Sequence, residues 1–292
     1  METPICDKLV SQIGLFLHWY DRTDERNVTI MLKNLMSMVA LVFVVAGFMY
    51  AGVAKAELIP EGLVAYWPLD ASTTDGKDVE DVWGENDGVV EGDVDIVAGQ
   101  VGDALEFDGL SFVNIPGTDA LNFAGSEEMT VAAWVSVGSD DPVIGVVAGC
   151  CGSIIAQRDM NSWALRYDGR NAGMEMEFIV QPGWTGDGGF GAELFAVGEW
   201  HHLVGVVGDA ELKLYLDGEF LISTAYSGPM ASDGSEAEIG NASDGGFIGV
   251  IDEVLIYERA LDEDEVKEVF QAQGLAVEPG GKLATAWGAI KK

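Results

Sequence analysis

Short alternations of apolar and polar residues run through most of the chain, and Gly, Asp and Asn residues separate them. Alternation places successive side chains on opposite faces of an extended backbone, so each run predicts a β-strand. The strands do not alternate with helical segments, and no Gly-rich phosphate loop follows a strand, which argues against an α/β nucleotide-binding fold. The runs predicted as strands are residues 63–69, 104–107, 111–115, 130–137, 163–167, 175–180, 202–207, 211–216, 219–223 and 247–257.

Two turns and one helix complete the pattern. Asp108-Gly109 and Asp217-Gly218 each stand between two predicted strands and are residue pairs typical of a tight hairpin. Residues 262–273 predict a helix, because Asp262 and Glu265 form a capping box ahead of an apolar stripe at helical spacing. We therefore predict an all-β fold, a two-sheet antiparallel jelly-roll sandwich with one short C-terminal helix.

The N-terminal part of the chain is predicted to be targeting sequence rather than fold. After Lys33, residues 35–53 contain no charged residue, and Ala54-Lys55-Ala56 has the small-x-small form of a cleavage site. We interpret residues 31–56 as a secretory signal peptide. The alternative is a membrane anchor, because the apolar run is nearly long enough to span a bilayer.

These boundaries divide the chain into four parts. Residues 1–30 are an upstream extension, residues 31–56 the signal peptide and residues 57–274 the folded domain. Residues 275–292 form a C-terminal tail, which is either an added strand or an address segment. The protein is therefore expected to be secreted or at the cell surface, with anchoring through the apolar run as the alternative.

The charge balance excludes one class of partner. The chain has 15 Lys and Arg residues against 49 Asp and Glu residues, a formal net charge of −34. Such a surface repels phosphate backbones, which argues against nucleic acid as a partner. The three Cys residues are too few for a disulfide framework or a zinc ribbon, and Cys150 and Cys151 are either a vicinal disulfide or two free thiols.

Five sequence blocks carry a family resemblance. In chain order they are Gly62-Leu-Val-Ala-Tyr-Trp-Pro-Leu-Asp70, Asn86-Asp-Gly88, Gly102-Asp-Ala-Leu-Glu-Phe-Asp-Gly109, Trp200-His-His-Leu203 followed by residues 212–218, and Ile251-Asp-Glu-Val-Leu-Ile-Tyr-Glu-Arg-Ala-Leu261. Together they resemble the laminin-G-like, concanavalin A-like jelly-roll domains of secreted bacterial proteins. The resemblance covers about residues 61–272. It implies a two-sheet antiparallel sandwich but no single function, because lectins, adhesion domains and enzyme-appended modules share this fold.

A calcium site is the first functional hypothesis. In an alternating strand Asp252 shares a face with Val250 and Val254, and a carboxylate buried there needs a partner or a metal. The family resemblance places Asp252 near Asp70 at the end of the first strand, with the turn at Asn86 close by. Carboxylates, an amide and backbone carbonyls are ligands that suit a structural Ca²⁺. The alternative is a hydrogen-bonded structural Asp.

A ligand surface is the second hypothesis, and the Gly-rich segment 181–191 is its best candidate. Trp184 and Phe190 could stack on a sugar ring, and Asp187 and Asn171 could hydrogen-bond its hydroxyl groups. The alternative for Trp184 is a loop anchor that packs down on the fold. Further aromatic candidates beside such segments are Trp163 and Tyr167.

Catalysis is not expected. Glycosidases on this sandwich carry two acids of a Glu-x-Asp-x-x-Glu strand on one face, and the nearest string, residues 91–96, ends in Ile96 instead of Glu. We therefore interpret the chain as a non-catalytic, calcium-supported module that binds a glycan or an extracellular protein. The alternatives are a structural or adhesive surface protein without a sugar site and a divergent glycoside hydrolase.

Overall fold

The structure is a computed structural model, and it describes residues 58–141, 143–145, 150–157, 162–170, 175–188, 190–231, 236–242 and 245–272. The strands are β1 (Leu63–Trp67), β2 (Thr74–Asp75), β3 (Asp78–Val79), β4 (Gly88–Glu91), β5 (Asp95–Ala98), β6 (Asp103–Asp108), β7 (Phe112–Ile115), β8 (Met129–Val137), β9 (Val143–Gly145), β10 (Cys150–Ala156), β11 (Trp163–Asp168), β12 (Glu175–Val180), β13 (Gly191–Glu193), β14 (Trp200–Gly208), β15 (Glu211–Leu216), β16 (Glu219–Ala225), β17 (Ala237–Ile239) and β18 (Gly245–Tyr257). A 3-10 helix, Asp119–Leu121, and one α-helix, α1 (Glu263–Gln271), complete the described elements.

The strands form the two layers of the predicted sandwich. Sheet 1 has the order β16–β15–β14–β8–β18, and the far edge of β18 is shared by β6 and β1, with β5 beyond β6. Sheet 2 has the order β2–β3–β4–β7–β17–β10–β11–β12–β13. The first residues of β18 reach sheet 2, where they pair with β9 and meet β10 at Ser153.

Alternation along the strands builds the main core between the sheets. In β11 the side chains of Trp163, Leu165 and Tyr167 belong to this core and are at most 1% exposed. Arg166 and Asp168 occupy the intervening positions and therefore lie on the outer face of sheet 2, away from sheet 1. The prediction of Trp163 and Tyr167 as ligand-facing aromatics is wrong, because the alternation turns both rings into the core.

The predicted helix is confirmed over nearly its full length. The Asp262 side chain accepts a hydrogen bond from the Glu265 N–H, and the Glu265 carboxylate accepts one from the Asp262 N–H, each at 2.9 Å. This is the predicted capping box. Val266 and Val269 pack on the outer face of sheet 1 in a second apolar cluster. In the part of the chain that the structure describes, we find no helix that could span a membrane.

One predicted hairpin is confirmed and one is wrong. Asp217 and Gly218 have φ angles of 52° and 79° and join β15 to β16 directly, as a two-residue hairpin loop requires. Asp108 and Gly109 instead lead from β6 in sheet 1 to β7 in sheet 2, and these two strands do not pair. The Asp108 carboxylate accepts hydrogen bonds from the N–H groups of Leu110 and Ser111 at this corner. A local Asx turn therefore produced the same sequence signal as a hairpin.

The two neighbouring cysteines are joined in a vicinal disulfide at the start of β10. Of the two alternatives, the structure has the bridge. The predicted upstream extension, signal peptide and C-terminal tail lie outside the described residues.

A single buried carboxylate holds the loop after β3 against β1. Asp81 is 4% exposed, and its Oδ1 accepts hydrogen bonds from the N–H groups of Tyr66, Trp83 and Gly84 at 2.9–3.0 Å. Its Oδ2 accepts from the backbone N–H and the side-chain amide of Asn86. Backbone donors thus take the place of a cationic partner.

We expect Asp81→Ala to lower the free energy of unfolding by roughly 3 kcal/mol, because it leaves several buried N–H groups without an acceptor. Urea denaturation monitored by tryptophan fluorescence measures this change. Glu80→Ala removes the neighbouring, exposed acid as a control and should leave the value within about 0.5 kcal/mol of wild type. Equal effects of the two substitutions would contradict the assigned role of Asp81.

Candidate functional site

Two regions concentrate polar side chains, and the first is the Asp70–Asp252 pair. Asp252 lies in the middle of β18 and is fully buried, and its Oδ2 accepts a hydrogen bond from the Val101 N–H at 2.9 Å. Asp70 follows β1, and its Oδ1 accepts one from the Asp103 N–H at 2.7 Å. The loop between β5 and β6 therefore binds both carboxylates. The structure confirms the predicted proximity of Asp70 and Asp252.

Glycines make this close approach possible. A Cβ on Gly99 would lie 2.5 Å from Asp252 Oδ2 and 2.6 Å from the Asp103 carbonyl oxygen. A Cβ on Gly102 would collide with Asp70 Oδ1, and Gly102 also has a φ of 71°. Only residues without a side chain allow the loop to wrap the two carboxylates this closely.

The carboxylates of this pair are incompletely compensated. Asp252 Oδ1 is buried and has no hydrogen-bond partner among the described residues. Burial and the nearby charge of Asp70 raise the pKa of Asp252 to about 7, although the hydrogen bond from the Val101 N–H acts to lower it. Burial also raises the pKa of Asp70, against the hydrogen bond from Asp103. Two acids that resist ionisation side by side form an arrangement that a cation stabilises.

The predicted alternation around Asp252 is wrong at one point. The register of β18 against β8 shifts between Asp252 and Leu255, and Glu253 has a φ of 52°. This bulge breaks the period of two, so Asp252 does not share a face with Val254, which belongs to the main core. Both acids are buried, and the Glu253 carboxylate accepts hydrogen bonds from the Tyr66 hydroxyl at 2.8 and 2.9 Å.

Asn86 lies in a different network from the one predicted. Its Nδ2 donates to Asp81 Oδ2 at 2.7 Å and to the Val64 carbonyl oxygen at 3.2 Å, and its Oδ1 accepts from the Thr118 hydroxyl. The amide thus fastens the loop after β3 beneath β1. The structure does not place Asn86 with Asp70 and Asp252, because its backbone and side-chain N–H groups both donate to Asp81.

The second region is a buried ion network on the outer face of sheet 2. Arg166 Nη2 lies 2.6 Å from Glu177 Oε1, 2.6 Å from Asp187 Oδ1 and 3.5 Å from Asp168 Oδ2. Arg170 Nη2 lies 2.6 Å from Asp168 Oδ2 and 2.7 Å from Asp187 Oδ1. Cross-strand pairing of Arg166 with Glu177 brings the charges together, because directly opposite residues share a face of the sheet.

The network is buried at one end and open at the other. The side chains of Arg166, Asp168 and Glu177 are fully buried, whereas those of Arg170 and Asp187 are 41% and 40% exposed. The carboxylate oxygens of Asp168, Glu177 and Asp187 lie within 4.8 Å of one another, and the two guanidinium groups balance most of their charge. Asp187, predicted from the sequence, thus forms part of the exposed end.

The environment shifts the pKa values of the two buried acids in opposite directions. Burial raises the pKa of Glu177 to about 7, although the Arg166 charge and the Gly188 N–H favour its ionised form. Burial also opposes ionisation of Asp168, but the hydrogen bonds and charge of Arg170 lower its pKa below the ordinary value. Arg166, Asp168 and Glu177 were missed at the sequence level. Charged residues at alternate positions of two neighbouring strands were the available signal.

Trp184 lies beside this network and is partly buried. It packs against Ala156, Ala164 and Ile179 on the outer face of sheet 2. Its φ of 50° is unusual for a bulky residue, and its carbonyl oxygen accepts a hydrogen bond from the Asp187 N–H at 3.0 Å. This packing agrees with the loop-anchor alternative, and the contact of Trp184 with a ligand stays a prediction.

Phe190 and Asn171 are the two other residues predicted to contact a ligand. Phe190 is 5% exposed and belongs to the main core, so it is not available to a ligand. The chain turns inward after the Gly-rich loop, and the apolar ring takes the buried position. Asn171 lies outside the described residues.

The acidic string at residues 91–96 does not lie on one strand. Glu91 ends β4 in sheet 2, whereas Asp95 begins β5 in sheet 1. The chain crosses between the layers within the string, and its acids are exposed. The two-acid face of a glycosidase strand is therefore absent from this segment.

A known family matches the chain. The family model described as Laminin_G_3, concanavalin A-like lectin/glucanases superfamily, matches residues 108–267. No curated protein sequence matches significantly.

Solved structures with the same fold are similar at low identity. Domain 4 of AbnA, a GH43 extracellular arabinanase from Geobacillus stearothermophilus in complex with arabinotriose, is 20% identical with a TM-score of 0.52, over 74% of this chain and 98% of that domain. The binding domain of Paraclostridial Mosquitocidal Protein 1 is 18% identical with a TM-score of 0.52, over 72% of this chain and 52% of that one. Trypanosoma rangeli sialidase with 2,3-difluorosialic acid is 18% identical with a TM-score of 0.53, and the match covers 82% of this chain but 39% of the enzyme.

The ion network predicts a pH-dependent stability. The folded-state pKa of Glu177, about 7, lies above the ordinary value of 4.5, so its protonated form contributes stability that is complete below pH 4.5 and is lost as the pH rises through 7. Relative to Glu177→Gln, the wild type should therefore lose about 2–3 kcal/mol of unfolding free energy between pH 4.5 and pH 8. Urea denaturation across this range measures the difference.

Glu193→Gln is the matched control, because it removes an exposed acid from the adjoining strand. It should keep the wild-type pH dependence. If Glu177→Gln also keeps it, Glu177 is ionised throughout the range and burial does not govern its pKa.

Proposed function

The chain belongs to the concanavalin A-like lectin/glucanases superfamily, and from this premise we propose that it is a non-catalytic binding module that recognises a glycan. We further propose that it acts outside the cell or at its surface and that calcium supports its fold. The exposed end of the ion network, formed by Arg170 and Asp187 beside Trp184, is the observation that carries this proposal.

The network suits hydroxyl recognition because it is held in place before a ligand arrives. Buried partners fix Arg170 and Asp187, so little side-chain entropy remains to be lost on binding. The guanidinium donates and the carboxylate accepts, which matches hydroxyl groups that do both. Trp184 is partly buried nearby and would contribute apolar contact area to a sugar ring.

Similar domains support the same class of function. The arabinanase domain is solved with arabinotriose, which favours a glycan. The binding domain of Botulinum neurotoxin DC, solved with rat synaptotagmin II, is 13% identical with a TM-score of 0.52 and favours a protein partner as the alternative. A structural or adhesive protein without a sugar site is a further alternative. The exposed end of the ion network favours the glycan, because Arg170 and Asp187 together offer a donor and an acceptor to hydroxyl groups.

The surroundings of the acids support a non-catalytic role. Both oxygens of Glu177 are engaged, Oε1 by Arg166 and Oε2 by the Gly188 N–H at 3.1 Å. Its side chain is fully buried, so it does not reach a glycosidic oxygen. The divergent glycoside hydrolase remains the alternative that an activity assay separates from binding.

The Asp70–Asp252 region fits a calcium ion. Asp252 Oδ1 is a buried acceptor without a partner among the described residues, and a cation would satisfy it. The carboxylates of Asp70 and Asp252 and nearby backbone carbonyls are the hard oxygen donors that Ca²⁺ prefers. Bound there, calcium would join the end of β1, the β5–β6 loop and the middle of β18.

We expect chelator to lower the melting temperature of calcium-loaded wild type by several degrees, because metal that binds only the folded state stabilises it by mass action. Asp252→Asn should abolish the difference, and Gly99→Ala should weaken calcium binding because its Cβ would meet Asp252 Oδ2. Differential scanning calorimetry and calcium titration measure both effects. Asp95→Asn, an exposed acid of β5, should respond like wild type, and a chelator response retained in Asp252→Asn would place the ion elsewhere.

Glycan arrays that include arabinotriose, read with calcium and with chelator, identify the ligand. On the best ligand, Trp184→Ala should weaken binding by roughly 1–3 kcal/mol, since it removes a large apolar contact. Trp184→Phe should recover part of the loss. Calorimetry measures affinity and stability together.

Phe190→Leu is the control, because it changes a core ring and should lower stability without changing affinity. If Trp184→Ala keeps the wild-type affinity but lowers the melting temperature, Trp184 is a loop anchor and not a ligand contact. Polysaccharides that bind should release no reducing ends. Release that Glu177→Gln or Glu91→Gln stops would replace the binding module by a hydrolase.

A further inference from the structure

A cavity of about 380 Å³ lies on the outer face of sheet 1, whereas the ion network lies on the outer face of sheet 2. The β15–β16 hairpin forms one wall, and the segment that enters α1 forms the other. Its lining residues are Asp209, Glu211, Lys213, Tyr215, Phe220, Ser223, Ala260, Leu261, Asp262 and Glu263.

The cavity has an excess of negative charge. Asp209, Glu211, Asp262 and Glu263 contribute four carboxylates, and Lys213 is its only cationic lining residue. Lys213 Nζ lies 3.4 Å from Asp209 Oδ2 and 3.9 Å from Glu211 Oε2, so it offsets the charge on one side. The carboxylates of the α1 side have no such partner in the lining.

Aromatic rings supply the second half of the site. Tyr215 is 2% exposed, and its ring meets that of Phe220 edge-on, with centroids 5.7 Å apart. Phe220 is 48% exposed, so a ligand can reach its ring. A cation over the face of such a ring is attracted to its π-electrons.

The Tyr215 hydroxyl is a polar group in the lining of the cavity. It makes no hydrogen bond within the described part of the chain, although the side chain is almost fully buried. Burial raises its pKa, and the charges of Glu263, Asp262 and Glu211 raise it further. The hydroxyl therefore lies near the same carboxylates that line the cavity and can accept from a donor placed among them.

We propose that this cavity receives the side chain of an arginine from a protein partner. The carboxylates complement the charge of the guanidinium, Phe220 offers a face on which its plane can stack, and the Tyr215 hydroxyl accepts one of its N–H groups. The cavity is on the other sheet from the glycan surface, so both ligands can bind at once. Charge complementarity selects a basic partner for this strongly acidic protein.

The test uses Nα-acetyl-arginine amide as probe and Nα-acetyl-citrulline amide as its uncharged analogue, each titrated into the isotope-labelled protein. Nuclear magnetic resonance shifts should appear at Tyr215 and Phe220 with the arginine probe and be absent with citrulline. Phe220→Ala should weaken the arginine probe several-fold, whereas Leu221→Ala, a neighbouring exposed residue, should not. Shifts with both probes, or with neither, would overturn the proposal.

Matched charge variants separate the cavity from general attraction to an acidic protein. The pair Glu211→Gln and Glu263→Gln should raise the dissociation constant of the arginine probe by about tenfold, since it removes two carboxylates that would pair with the guanidinium. The pair Asp75→Asn and Asp78→Asn changes the net charge equally at an exposed hairpin of sheet 2 and should change it by less than about twofold. Equal effects of the two pairs would show diffuse attraction, and displacement of the probe by millimolar calcium would show a metal site instead.

Discussion

Burial of two adjacent carboxylates in the middle of β18 is the constraint on which the sandwich depends. This strand pairs with β8 along one edge and with β6 and β1 along the other, and its first residues reach sheet 2. A bulge at Glu253 lets both acids face away from the main core, where Asp252 meets the β5–β6 loop and Glu253 meets Tyr66. Of these two acids, Asp252 is the less compensated, because its Oδ1 has no hydrogen-bond partner among the described residues.

The chain compensates its buried acids in three different ways. Asp81 uses backbone N–H groups, which tie a loop to β1 without a counter-charge. Glu177 uses Arg166, a guanidinium buried with it. Asp252 has one backbone donor and a second oxygen without a partner among the described residues. A protein with 49 acids and 15 bases cannot pair every carboxylate with a cation, so backbone donors and metal ions become the available alternatives.

The two outer faces of the sandwich differ in chemistry. Sheet 2 presents balanced charges, with Arg170 and Asp187 exposed at the edge of a buried network. Sheet 1 presents an acidic cavity with the exposed ring of Phe220. A balanced polar surface suits neutral hydroxyl groups, whereas an acidic aromatic cavity suits a cation. One core thus carries two surfaces of different chemistry, which is the basis for the two different ligands that we propose.

Local pattern alone determined the fold class, most of the longer strands and the capped helix. The proximity of Asp70 to Asp252 followed from the family resemblance. The local pattern missed β10, whose residues are buried on both faces and therefore do not alternate, and the two-residue strands of sheet 2. Only the tertiary structure decided that Phe190 belongs to the core, that Asn86 serves Asp81, and that Arg166 and Glu177 meet across two strands. These outcomes depend on long-range pairing and on which face each strand presents, because a bulge or a crossover reverses a side chain without changing the local sequence pattern.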